Sequence, residues 1–216
     1  MNMLSRDALP LPKTCIRGFE HVNRYLDRQT QKFVAKILPG EYYVSRDDEL
    51  IATTLGSCVS ACIWDEFAGI GGMNHFMLPL TKKPSHEVSW GNVESDATRY
   101  GNYAMEYLIN GILKNGGQRK NLKCKVFGGG KIIQNMGDVG QKNCDFVLHY
   151  LSLEMISIIA HDLGSTCPRK IVFNPLNGKV QMLRILHMHN DTILARERDY
   201  QKVIDKPPVG GDVELF

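Results

Sequence analysis

Apolar and polar positions alternate with a short period in the first third of this chain and with a helical one further on. From Thr53 to Pro79 the chain reads TTLGSCVSACIWDEFAGIGGMNHFMLP. Cys58 to Trp64 is a short apolar run of residues that suit a pleated surface. Asp65 to Ala68 supply a polar turn, and from Gly69 the chain returns through Ile70, Met73, Phe76 and Met77 to a stop at Pro79. This pattern predicts a β-hairpin, with Trp64 opposite Gly69 and therefore Cys58 directly across from His75. Upstream, Glu41 to Val44 reads as an edge strand and Leu50 to Thr54 as a strand leading into the hairpin. Tyr100, Tyr103, Ala104, Tyr107, Leu108 and Ile112 fall at the spacing of one helical face, read as core. Ser95 is its cap and Gly116-Gly117 its end. Leu122 to Phe127 predicts a strand running into Gly128-Gly129-Gly130. A second helix is expected from Asn143, and a strand from Ile156 to Asp162. Asn177-Gly178 marks the turn of a second hairpin between Arg169–Phe173 and Lys179–Ile185. The flanks are polar: a short helix is expected around Phe19 to Lys32, and a loosely held tail from His187.

The candidate chemistry lies in the first hairpin. Side chains facing each other on antiparallel strands stand about 4.5–5.5 Å apart at Cβ, a separation at which a thiol and an imidazole can act as nucleophile and base. A cysteine opening an apolar strand is more often a small buried hydrophobe. Gly56 and Ser57 precede Cys58, however, which leaves open backbone whose N–H groups can face a ligand. Gly71, Gly72 and Asn74 precede His75 and suit close approach by a substrate better than they suit a strand. From the residues alone, the site and the buried-core reading stand level.

Composition narrows the field. With 216 residues and 43% of them hydrophobic, the chain can bury one good core. The net charge of +3 is mild, and the basic residues are spread, so nucleic acid is not an expected partner. The six cysteines are far apart, as in a reduced cytoplasmic protein. No signal peptide and no run of about 18 apolar residues is present, so neither export by that route nor membrane insertion is expected. His187-x-His189 and Cys58-x3-Cys62 lack a second ligand pair, and the triple glycine lacks the Lys-Ser/Thr of a phosphate loop; no metal or cofactor is expected. The stretch Leu80 to Val93, with Lys82, Lys83 and Trp90, is long for a connection.

LGSCVSACIWD followed by GIGGMNHFMLP resembles the signature of the CheD family, the chemoreceptor glutamine deamidases. The resemblance continues through RYGNYAMEYLINGILKNGG, through Phe127-Gly128-Gly129, and through Val139 to Asn143. That last run is similar to the family's IGxRN motif, with Lys142 in place of Arg. It begins after an extension of residues 1–35, spans a domain of residues 36–186 and fades before a tail of residues 187–216. It implies an α/β fold, a layered α/β/β sandwich with mixed, largely antiparallel sheets. It implies Cys58 as nucleophile, His75 as general base and an upstream Thr as third member, Thr53 rather than Thr54. Gly56, Ser57 and Asn74 are then candidates for contacts with the substrate or its oxyanion. The implied substrates are glutamines of methyl-accepting chemotaxis receptors, with a CheC-type phosphatase as a further partner. A non-catalytic adaptor and an amidohydrolase for another protein substrate are the alternatives.

Overall fold

The computed structural model describes residues 14–80, 96–132, 138–186 and 192–205, and the side chains within α1 from residue 99 on. Among the described residues, ten strands form two five-stranded sheets. The first has the order β1-β2-β4-β9-β10: Asn23–Asp27, Lys32–Lys36, Leu50–Leu55, Arg169–Phe173 and Val180–Arg184. The second has the order β3-β6-β5-β7-β8: Tyr42–Ser45, Ile70–Asn74, Val59–Asp65, Lys123–Gly128 and Ser157–Leu163. Pairing is antiparallel except β2 with β4 and β7 with β8. Helices α1 (Asp96–Lys114) and α2 (Val139–Leu153) pack on the second sheet. The first sheet covers its other face, where the Trp64 ring meets Phe173 with centroids 6.3 Å apart and Lys125 Nζ donates to Gly178 O at 2.7 Å. The architecture is the layered α/β/β sandwich that the resemblance implies.

The catalytic-candidate hairpin forms with a register two residues away from the expected one. Asp65 pairs with Ile70, Trp64 with Gly71 and Cys62 with Met73, so Cys58 is not directly across from His75. The reason lies in the turn. Asp65 Oδ1 accepts the N–H groups of Phe67 and Ala68 at 3.0 and 3.1 Å, so Asp65 closes the strand instead of starting the loop. Gly69 takes the left-handed conformation, φ +60°, that ends the four-residue loop. A shift of two keeps every side chain on its own face. Cys58 and His75 therefore still meet, diagonally.

Other expectations change for equally local reasons. Phe19 to Lys32 contains no helix. Residues 23–36 make the β1–β2 hairpin, its loop built like the first one, with Asp27 Oδ1 accepting Gln29 N at 2.8 Å and Gln31 at φ +55°. α2 starts at Val139, four residues before Asn143, because the Asn143 side chain is spent on tertiary bonds and not on a helix cap. In α1 the buried face is Met105, Leu108, Ile109 and Ile112, whereas Tyr103 and Tyr107 are 53% and 59% exposed. Gly116, at φ +103°, ends α1 as expected. Ser95, Lys82, Lys83, Trp90, His187 and His189 lie outside the described residues.

Candidate active site

Three residues, Gly56 to Cys58, carry the chain from β4 in the first sheet to β5 in the second. Each of their carbonyls is claimed from outside: Gly56 O by Gly130 N at 2.7 Å, Ser57 O by Asn143 Nδ2 at 2.8 Å, and Cys58 O by Gly129 N at 2.8 Å. With its carbonyls so engaged, the segment turns its three N–H groups together toward another point, and successive N–H groups that converge make an anion seat. The glycine run is what brings the neighbouring backbone close enough. A Cβ on Gly128 would strike Cys58 O, and one on Gly129 would strike the Cys144 sulfur. Asn143 also accepts Leu78 N at 2.9 Å, which ties α2 to the chain just beyond His75.

The seat is filled by a carboxylate. Glu197, 1% exposed, projects from α3 (Thr192–Ile204). Its Oε1 accepts Gly56 N at 2.7 Å and Cys58 N at 3.3 Å; its Oε2 accepts Ser57 N at 2.8 Å and Ser57 Oγ at 2.6 Å. The segment expected to be a loosely held tail thus contains a helix seated at the candidate site. Nothing in the run Arg196-Glu197-Arg198 singles out its middle residue, which looks like one of a solvated charge cluster. The legible signal is the spacing of Glu197, Tyr200, Gln201 and Ile204 on one helical face.

His75 is held from the opposite sheet. Thr53 Oγ1, on β4, lies 2.7 Å from His75 Nδ1 and 2.9 Å from Ile37 O. The hydroxyl has one proton and the carbonyl can only accept, so Thr53 donates to Ile37 and accepts from His75 Nδ1–H. The proton on Nδ1 leaves Nε2 with its lone pair free, and Nε2 is buried with no hydrogen-bond partner. Thr54, the next residue on β4, belongs to the other face and pairs across from Lys170. Of the two threonines, only Thr53 meets the imidazole.

Cys58, His75 and Glu197 offer ligand-type atoms within 4.8 Å of one another, and all three are buried. The set could be read as a metal site, but both oxygens of Glu197 are already directed at N–H and O–H donors. Burial raises the Cys58 thiol well above its usual range, and the Glu197 carboxylate adds to that. Burial pushes His75 down to about 3. Cys58 is therefore a neutral thiol beside a neutral imidazole while Glu197 is in place. Asn74 is turned elsewhere, with Oδ1 accepting Ala61 N at 2.8 Å and Nδ2 donating to Ala104 O at 3.0 Å. A cavity of about 250 Å³ opens beside His75, lined by Gly40, Tyr42, Tyr100 and Tyr107. Tyr100 and Tyr107, two of the three tyrosines on the helical face predicted to be core, thus line open space.

Residues 77–184 match the sequence model of a family described as CheD chemotactic sensory transduction, a match that starts just beyond His75. Relatives extend the similarity across the site. A protein of Halorhodospira halophila named "Probable chemoreceptor glutamine deamidase CheD" is 50% identical over 204 residues, covering 94% of this chain and 93% of that protein. One of the same name from Hahella chejuensis is 46% identical over 216 residues, the whole of both chains. A third, from Methylobacillus flagellatus, is 47% identical over 196 residues, 90% of this chain and 95% of its own. Identity at this level over nearly the full length shows that the chain belongs to the CheD family.

Proposed function

We propose that this chain is a protein-glutamine deamidase that converts glutamine side chains of chemoreceptors to glutamate, with Cys58 as nucleophile and His75 as general base. One observation carries the reading. A thiol and an imidazole stand beside three convergent N–H groups that already hold a glutamate carboxylate, the functional group of the reaction's product.

In the proposed reaction His75 Nε2 takes the proton of Cys58, and the sulfur attacks the amide carbon of the glutamine. The amide oxygen gains the negative charge, and the N–H groups of Gly56, Ser57 and Cys58 receive it. The carbon–nitrogen bond breaks as Nε2 returns its proton to the nitrogen, which leaves as ammonia. A water molecule, deprotonated by the same Nε2, attacks the thioester and releases glutamate and the thiol. Thr53 acts through His75 as a positioning residue that keeps the proton on Nδ1. The six cysteines are all unpaired, which supports a reducing cytoplasmic setting. Among the described residues no helix is long and apolar enough to cross a membrane.

The test is mass spectrometry of a receptor cytoplasmic fragment incubated with wild-type protein and with Cys58→Ala. Amide-to-acid conversion at defined glutamines by the wild type, and none by the variant, is the expected result. Equal conversion by both would remove Cys58 from the reaction. No conversion by wild type with the fragment still bound would make the chain an adaptor.

A further inference from the structure

We propose that α3 is a built-in product mimic: Glu197 occupies the seat of the glutamate that deamidation leaves, and α3 has to lift away before a substrate glutamine can enter. The inference rests on the deamidase reading of the site and goes beyond it, since it assigns the last described helix to control of that site.

Glu197 and a reacting substrate compete for the same donors. The N–H groups of Gly56, Ser57 and Cys58 are the donors available to a developing oxyanion beside Cys58, and Glu197 uses all three. One seat cannot hold two anions, so a docked Glu197 and a reacting amide exclude each other. Burial already raises the Cys58 thiol, and a carboxylate at this spot raises it further.

The attachment of α3 points the same way. A helix that belongs permanently to a domain buries an apolar stripe. The residues that α3 buries are Glu197 and Gln201, a carboxylate and an amide. Its remaining anchors lie along the same face. The Tyr200 ring packs on Gly40, and its hydroxyl meets that of Tyr100. Asp205 Oδ1, just past the helix, accepts Leu80 N and Gln201 Nε2, each at 2.8 Å. The two hydrophobic side chains that α3 packs on the core, Tyr200 and Ile204, are only partly buried, so polar contacts and two half-buried side chains hold the helix, the pattern of an element that opens without global unfolding.

The test uses the full-length chain and two variants. Asp205→Ala removes an anchor remote from the chemistry and leaves the seat intact. Both the alkylation rate of Cys58 by iodoacetamide and kcat/KM on the receptor fragment are expected to rise roughly tenfold, the equivalent of one charge-assisted hydrogen bond lost from the docked state. Glu197→Gln places an amide in the seat. It is expected to undergo Cys58-dependent hydrolysis: the sulfur–carbon bond forms as ammonia leaves, water then cleaves the thioester, and the wild-type residue is regenerated. Peptide mass spectrometry reads the conversion, with Cys58→Ala/Glu197→Gln as control. An unchanged alkylation rate in Asp205→Ala overturns the mobile helix. An introduced amide that persists overturns the product-mimic assignment. Faster alkylation with a receptor fragment that stays unmodified strikes the deamidase reading and leaves the mobile helix standing.

Discussion

The single hydroxyl proton of Thr53 determines what His75 can do. Because Ile37 O takes that proton, Thr53 can only accept from Nδ1, and Nε2 is left as the basic nitrogen. Thr53→Val keeps the shape of the side chain and removes the acceptor, so the imidazole can carry its proton on either nitrogen. We expect kcat for receptor deamidation to fall roughly 10²-fold, the lower end of what a positioned general base contributes, with KM little changed. Thr53→Ser should recover most of the loss, since it restores the hydroxyl at the same Cβ. A fall in KM-dependent terms alone would mean that Thr53 contacts substrate and does not orient His75. Asn143 works at the same scale in a different way. Its amide, wholly buried, holds Ser57 O and Leu78 N, so the two segments that carry the nucleophile and the base share one brace.

At the level of elements, the site depends on one turn and a glycine run. The β5–β6 turn decides the register, and its two-residue offset preserves the face on which Cys58 and His75 meet. The end of β7 decides how close the loop of Cys58 can lie to its support. Gly128 has φ +117°, and a Cβ there would overlap Cys58 O. Gly128→Ala should therefore cost on the order of 3 kcal/mol from backbone strain and overlap and should remove most activity by displacing Cys58. Gly164 is the control: its φ is +75°, but a Cβ would meet nothing within 4 Å. Gly164→Ala should cost about 1 kcal/mol, the conformational term alone. Urea unfolding of the two variants against wild type checks the contrast. Equal losses would mean that the close approach to Cys58 adds nothing.

Across the whole molecule, the Thr53–His75 bond joins the two sheets, since Thr53 lies on β4 of the first and His75 follows β6 of the second. Burying an imidazole between sheets ties global stability to pH. Unfolded, His75 takes up a proton near its ordinary 6.5; folded, it does so only at about 3. Between those values the unfolded state binds more protons, so stability falls as pH falls from 6.5 toward 3. Above that window the group contributes no pH dependence. The expected slope from this one residue approaches about 1.4 kcal/mol per pH unit. His75→Asn should lose that part of the slope, whatever its absolute stability. Unfolding free energies of both proteins at neutral and mildly acid pH give the difference, and parallel curves would place the acid sensitivity elsewhere.

The strand–turn–strand around Cys58 and His75, the α1 terminus at Gly116, the Asn177-Gly178 hairpin and the family are all readable from the residues. These depend on short-range steric preferences and on side-chain alternation, both of which are written locally. Cys58 and His75 were legible as a pair because a two-residue slip leaves face assignment unchanged. Thr53 is preferred over Thr54 on the resemblance alone, because deciding between them from the residues requires knowing which face of β4 looks across to the second sheet. That a β1–β2 hairpin stands where a helix is expected follows from long-range pairing, since β2 gains a parallel partner in β4 that no local pattern encodes. The tertiary structure alone also brought Glu197 to Gly56, Ser57 and Cys58, from about 140 residues away in the chain. A glutamate between two arginines has a solvated look in sequence; three converging N–H groups supply the environment that makes its burial possible, and those donors exist only once the glycine run and Asn143 have turned the loop.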